Sequence, residues 1–406
     1  MALIMKRKKG LDYLSIFTAL MLLCNLGPFY IWGLLSVPIM RFVIIFLGCL
    51  PFLFNRRKLN TKDSLVIVIM FFTITTYILM NFKHEPTIFG SALKLLLALP
   101  FVFLFAKPEF LKRIFESFYT IYSLVVFLSL ISYVFFIIGV APLLGTLSSP
   151  LETEREFFHY PFLIIEMEMI DMFRFAGPFD EAGVIGTMSA LFLFVKRFRI
   201  NDFRSVVVLI SGIASFSLFF YLISIGFIII NSIFVNKKPA IAFIILLLIP
   251  VLYINTKDNP LMYDRLWSRV EWDSTNQKLE GDSRTSIEAK KYYDNTIGSR
   301  EWFWGLENPS YYNSLAEGSS SYINIIMWYG SVFLFLYLSV FVIYAAQNIN
   351  SISKRLIVYF IILANTYQRP DIFGMAIIFF YSCLINLDVS DLNAPKCPYK
   401  KAELKY

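Results

Sequence analysis

The stretch SVVVLISGIASFSLFFYLISIGFIIINSIFV, residues 205–235, carries no charged side chain and decides what kind of protein this is. A helix needs ~20 apolar residues to cross the hydrocarbon core of a bilayer. This run is long for one crossing and short for two. Arg204 precedes it and Lys237-Lys238 follow it, and short basic flanks mark the cytoplasmic side of a membrane. Two crossings are therefore expected, with the turn between Phe219 and Leu222.

The rest of the chain agrees. It is 57% hydrophobic, only 16% charged and contains 43 phenylalanines, with a mean hydropathy of +0.64. A soluble domain would carry about 25% charged residues. Residues 64–80 and 119–140 form further apolar runs, so the expected fold class is an all-α polytopic integral membrane protein.

The net charge of +8 is not a nucleic-acid signal, because the basic residues fall in short segments between apolar runs: 6–9, 56–62, 107–113, 196–204, 237–238, 354–355 and 396–405. The positive-inside rule places such segments in the cytoplasm. Every interval between them holds enough apolar chain for an even number of crossings. About twelve transmembrane helices result, at 12–33, 36–54, 64–81, 89–106, 118–140, 183–196, 205–219, 221–235, 239–255, 322–346, 356–367 and 371–386. Residues 1–406 then form a single membrane domain in a plasma membrane, with both termini cytoplasmic. Two large polar loops, at 141–182 and 256–321, lie outside. The pair 356–367 and 371–386 is short and interrupted at Gln368-Arg369-Pro370-Asp371, which is compatible with re-entrant helices. The basic start followed by an apolar run, without a small-residue cleavage site, reads as a retained signal anchor.

Several chemistries lack their signals. Cys24, Cys49, Cys383 and Cys397 form no CxxC pair. His84 and His159 fall in different outer loops, which argues against a histidine metal centre. There is no Walker loop, no GxGxxG and no Asp-x-Asp. An enzyme with this sequence is expected to work without a metal or cofactor, on an already activated substrate.

The polar residues that remain concentrate in the two loops. The first is acidic, and it ends in Arg174-Phe-Ala-Gly-Pro-Phe-Asp-Glu-Ala-Gly183, which runs straight into an apolar helix. Gly177-Pro178 is a turn signal. Asp180 and Glu181 suit a helix N-terminus, where carboxylates meet the positive end of the dipole. That leaves Arg174 without a helix-capping reason. The second loop places Arg265, Arg269, Arg284 and Arg300 among tryptophans and tyrosines. Arginine is suited to bidentate phosphate contacts, although pairing with the loop's own Asp and Glu side chains is an equally available role. The aromatic rings would either anchor the loop at the membrane interface or stack on sugar faces. Within the spans, Arg41 and Lys94 sit a few residues from the outer end. There they either snorkel to the headgroups or hold a phosphate-bearing lipid.

Four pieces of this pattern resemble the Wzy-type polysaccharide polymerases, relatives of the O-antigen ligases among membrane glycosyltransferases that use lipid-linked donors. Arg174-x-x-Gly177-x-Phe179-x-Glu181 resembles an Arg-x-x-Gly-x-Phe-x-Glu-Pro signature, with Ala182 in place of the proline. Ser215-Phe216-Ser217 resembles a Ser-x-Ser step. Asp282-Ser283-Arg284 followed by Gly305 resembles the arginine-bearing half of the second loop. Ser319-Ser320-Ser321-Tyr322, closing at Tyr329-Gly330, resembles that loop's return to the membrane. Ligases of the superfamily are expected to carry a histidine at that return, and its absence favours polymerase over ligase.

The resemblance implies transfer of a growing glycan from undecaprenyl diphosphate to the next lipid-linked repeat unit. Donor and acceptor glycans, membrane lipid and a chain-length regulator protein are the implied partners. The implied site takes Glu181, Arg174 and Arg284 as catalytic residues. Arg41, Lys94, Arg265, Arg269, Arg300 and Arg369 are the implied substrate-binding residues. A flippase for lipid-linked oligosaccharides is the rival of a different class, but transporters place ionisable groups at the bilayer midplane between repeats. No repeat is evident in this chain.

The topology is testable directly. Cysteines introduced into 141–182 and 256–321 are expected to react with a membrane-impermeant thiol reagent in intact cells. Protection of both loops would overturn the assignment.

Overall fold

A computed structural model describes residues 2–84, 95–149, 155–167, 174–235, 237–259, 263, 267, 272–273, 278–279, 286–316, 322–368 and 373–387. Helices dominate. The first group is α1 (Ala2–Asn25), α2 (Trp32–Leu35), α3 (Pro38–Phe54), α4 (Ser64–His84) and α5 (Pro108–Ile137). After the first loop come α6 (Ala182–Val195), α7 (Phe203–Ala214), α8 (Leu218–Ile230) and α9 (Pro239–Thr256). The second loop carries α10 (Ile287–Thr296), α11 (Arg300–Trp304) and α12 (Ser310–Ala316), and the chain closes with α13 (Tyr322–Tyr329), α14 (Ser331–Asn348), α15 (Ile352–Gln368) and α16 (Met375–Asn386).

Among the described residues, four helices are long and apolar enough to cross a membrane: Thr61–Met80, Pro108–Ile137, Pro239–Thr256 and Ser331–Asn348. A fifth is reached if Tyr13–Asn25 and Phe29–Leu35, bent by 92°, count as one span. The twelve expected positions are mostly helical, but several helices are shorter than a span because the backbone is interrupted. Gly27 (φ 70°) and Pro28 break the first, and Gly330 (φ 88°) splits 322–346 into α13 and α14. In 205–235 the interruption falls at Ser215-Phe216-Ser217, earlier than the expected turn, and Phe219 to Leu222 lie inside α8.

The core is aromatic. Phe192 of α6 meets Phe118 of α5 at 5.0 Å and Phe380 of α16 at 4.8 Å between ring centroids. Helix α16, short enough to be taken as re-entrant, is buried along almost its whole length. Without a hydrophobic drive between helices in lipid, close contact and interhelical hydrogen bonds hold such a bundle. Ser189 Oγ lies 3.0 Å from Ser211 Oγ and 3.2 Å from Tyr122 Oη, joining α5, α6 and α7.

Helix α5 separates two different ends. Near its N-terminus Arg204 contacts Glu116 at 3.3 Å and Asp202 at 3.0 Å, with its guanidinium 4.9 Å from the Tyr119 ring centroid. Asp202 caps α7 by accepting from the Ser205 amide at 2.8 Å, a contact worth about 1 kcal/mol. Burial alone would raise the Asp202 pKa, but the Ser205 and Arg204 contacts outweigh it and hold the carboxyl below its ordinary value. At the same end the Lys107 amide donates to Asn55 O at 3.2 Å. Arg57 pairs with Asp63 at 2.9 Å and lies over Tyr344 of α14. Lys354 Nζ donates to Leu387 O at 3.2 Å, one residue beyond α16 and next to Asn386, whose side chain accepts from Tyr344. Four of the basic segments therefore meet at one end of the bundle.

The other end of α5 carries a feature that the all-α expectation missed. Strands β1 (Gly145–Ser148), β2 (Glu156–Tyr160) and β3 (Leu163–Glu166) form an antiparallel sheet in the order β1-β2-β3. One face packs on α5, where Tyr160 meets Phe136 at 5.3 Å and Ser129 Oγ donates to Phe162 O at 2.6 Å. The opposite face packs on the bend after α1, where Phe157 meets Trp32 at 5.4 Å and His159 meets Phe29 at 4.8 Å. A short pair, β4 (Trp272–Asp273) and β5 (Lys278–Leu279), lies in the second loop.

Gly330 tests how tightly the second loop docks. A Cβ there would lie 2.2 Å from Phe303 O, whereas one on Gly139 (φ 75°) would meet nothing within 4 Å. Gly139→Ala is expected to cost only the left-handed backbone term, about 1–2 kcal/mol. Gly330→Ala adds a clash with a carbonyl that cannot rotate away. Thermal unfolding of the purified variants in detergent should show a clearly larger loss for Gly330→Ala, and equal losses would contradict the close approach.

Candidate functional site

The candidate site is built where the first loop returns to the bundle, over the interruption between α7 and α8. Ser215 ends α7, Phe216 takes a positive φ of 47°, and Ser217 begins α8. The last carbonyls of α7 are each taken up: Gly212 O by Ser215 Oγ at 2.7 Å, Ile213 O by Tyr221 Oη at 2.9 Å and Ala214 O by the Phe175 amide at 3.1 Å. Arg174 Nε reaches Ser215 O at 3.4 Å. Gly186 on α6 admits this unwound segment, since a Cβ there would lie 2.1 Å from Ser217 Cβ.

The segment from Phe175 to Glu181 is clamped from three sides. Gly177 (φ 62°) turns the chain, and its carbonyl accepts from the Ile164 amide at 3.0 Å, covering the outer edge of β3. Pro178 O accepts from the Phe29 amide at 2.8 Å. Phe175 and Phe179 are fully buried, and Phe175 meets Tyr133 of α5 at 5.2 Å. The Gly-Pro turn read from the sequence is therefore the joint that holds the loop, the sheet and the bend after α1 together.

Glu181, rather than Asp180, occupies the N-cap position of α6, and its side chain makes no capping hydrogen bond. Its carboxylate instead faces Arg155, with Nη1 3.9 Å from Oε1. Arg155 Nε in turn lies 3.1 Å from Glu166 Oε1 at the end of β3. Exposure falls along this chain, from 41% for the Glu181 side chain through 28% for Arg155 to 13% for Glu166. The arrangement offers one accessible carboxylate, a guanidinium beside it and a second guanidinium, Arg174, on the same segment. Such a set can accept a proton from a hydroxyl and stabilise an anion.

The other expected site residues are placed differently. Arg41 Nε donates to Leu35 O at 2.6 Å and so closes the C-terminus of α2, a structural role at the bend after α1. Arg300 begins α11, is 82% exposed and lies 4.0 Å from Glu307, a surface pair worth little on its own. It is not part of the Glu181 cluster. Lys94, Arg265, Arg269, Arg284 and Arg369 lie outside the described residues, as do the motif serines Ser319 to Ser321. Of the motif residues, the structure brings Arg174, Ser215 and Ser217 together, and Glu181 lies seven residues after Arg174 on the same clamped segment. It also brings Gly305 (φ 81°) to within 3.1 Å of the Gly330 amide, measured from a Cβ built on Gly305. The sequence reading missed Arg155 and Glu166 as site residues. Their partnership depends on the β2–β3 register, in which Phe157 faces Glu166.

Among the described residues no three His, Cys, Asp or Glu side chains gather as a metal-binding group. Comparison with known proteins gives no match to a family model, to a curated protein or to a solved structure.

Proposed function

We propose that the protein is a membrane glycosyltransferase that polymerises lipid-linked oligosaccharide repeat units into a surface polysaccharide. In this reading about twelve segments are embedded in a bacterial plasma membrane, both termini are cytoplasmic and residues 141–182 and 256–321 lie outside. The observation that carries it is the placement of Arg174, Arg155 and Glu181 on a clamped loop end, at the opposite end of α5 from four basic segments. A site at the outer face fits a substrate whose lipid diphosphate sits at the headgroups and whose sugars project into water.

The reaction balances without a further reagent. The acceptor hydroxyl oxygen forms a bond to the anomeric carbon of the donor glycan. The bond from that carbon to the diphosphate oxygen breaks, and its electron pair leaves with the lipid diphosphate. Arg174 with Arg284 would stabilise the charge that develops there. Glu181 would take the acceptor proton, its side chain being 41% exposed beside Arg155. The chain-length regulator implied by the family resemblance would act on this site from outside the chain.

Two measurements test the reading, both by polymerisation of purified lipid-linked repeat in detergent with EDTA present. Glu181→Gln is expected to lower the rate ~10²–10⁴-fold if general-base assistance is lost. A residue serving only the helix dipole would lose ~0.3–1 kcal/mol of stability and keep its activity. Arg174→Lys and Arg284→Lys retain charge but lose the planar fork, so both are expected to impair chain growth at normal protein level. Wild-type chain lengths in both would remove the phosphate role, and loss of wild-type activity in EDTA would overturn the metal-free mechanism.

A further inference from the structure

We infer that Arg155 is a positioning residue for Glu181, held in place by Glu166, so that the base of the proposed transfer is set by the first-loop sheet. The inference rests on the assignment of Glu181 above and adds two residues that the family resemblance does not include. Arg155 immediately precedes β2, and its carbonyl accepts from the Ser149 amide at 3.2 Å, which fixes its backbone. In the antiparallel register Phe157 faces Glu166, so Arg155, Phe157 and Glu166 share one face of the sheet. That face carries the fully buried Phe157 and Ile164 against the bend after α1. A guanidinium and a carboxylate on such a face need each other, and the 3.1 Å contact between Arg155 and Glu166 supplies the pairing.

Glu166 takes the Nε side of the guanidinium, which turns Nη1 towards Glu181 at 3.9 Å. The gap is wider than a good charge-assisted hydrogen bond of ~2.7–2.9 Å. Arg155 therefore faces the Glu181 carboxylate at the edge of ion-pair distance, close enough to orient it. The Glu181 side chain is 41% exposed, which leaves the carboxylate accessible to an acceptor hydroxyl. Among the described residues, Arg155 faces it from the sheet with Glu166 behind, and Asp180 precedes it in the chain.

The test is a double-mutant cycle on kcat and KM with purified lipid-linked repeat. Arg155→Ala is expected to lower kcat about 10–100-fold while changing KM less than about threefold, since it acts on the base and not on substrate binding. In the Glu181→Gln background the same change is expected to cost almost nothing, because its target is gone. Glu166→Gln should cause a smaller loss, and Arg155→Lys should recover part of the rate. The pH–rate profile of Arg155→Ala should differ from wild type on its acidic limb, a change that a merely structural role would not cause. Melting temperatures of the variants report folding separately. If Arg155→Ala and Glu181→Gln multiply, or Arg155→Ala is fully active while Glu181→Gln is dead, the positioning role is wrong. If Glu181→Gln itself is fully active, the base assignment fails instead.

Discussion

The constraint on which the rest depends is that a helix ending inside an apolar bundle must find partners for its last carbonyls. In water these groups would be solvated, whereas in hydrocarbon each unsatisfied one costs several kcal/mol. Helix α7 ends at Ala214; its last carbonyls are met by Ser215, Tyr221 and Phe175, and Arg174 reaches the carbonyl of the C-cap residue Ser215. Two of those four donors come from the first loop. That loop end is thus part of the bundle's closure, and the side chains it carries inherit the rigidity of the core. Arg174 and Glu181 are placed by the same contacts that allow α7 to stop where it does.

The second loop obeys the same constraint at a second interruption. Helix α13 ends at Tyr329 and Gly330 turns the chain, with Phe303 O so close that only glycine fits. Met327 O of α13 accepts from the Leu306 amide at 2.8 Å, and Gly305 takes a positive φ to approach the Trp328 carbonyl. The loop then builds a small core of its own from Ala289, Leu306, Tyr312, Ala316, Ile323 and Met327. Helix α14 runs from this interruption to Tyr344, which lies under Arg57. Both interruptions therefore lie at the end of the bundle opposite the basic segments.

Much of this was legible in the sequence, for a physical reason. Hydropathy and basic flanks report where chain is buried in lipid, and the helices fall close to the expected positions. The interruptions were less legible, since Ser215-Phe216-Ser217 changes mean hydropathy little and breaks the helix through one positive φ. Gly177-Pro178 was readable because it is a local turn, and the structure makes it the joint of the first loop. The sheet was missed because its strands are short and sit in a segment read as a polar loop. Arg155 and Glu166 were missed for a related reason. Their pairing follows from strand register, and register is set by packing on Trp32 and Phe136 far along the chain.

These points separate what the loops do for folding from what they do for chemistry. Under the proposed function Arg174 would do both: its guanidinium covers a carbonyl of the interruption, and it stands on the segment proposed to receive the diphosphate. Lysine can still donate to that carbonyl, but it offers no second donor in a fixed plane. Glu181 occupies the N-cap of α6 without a side-chain capping hydrogen bond. An N-cap residue that forgoes its own capping bond, and is instead faced by an arginine from a neighbouring sheet, leaves a helix end less well satisfied than it needs to be. The result is a partly exposed carboxylate faced by Arg155, at the end of the bundle where the interruptions at Ser215-Phe216-Ser217 and Gly330 meet the polar loops.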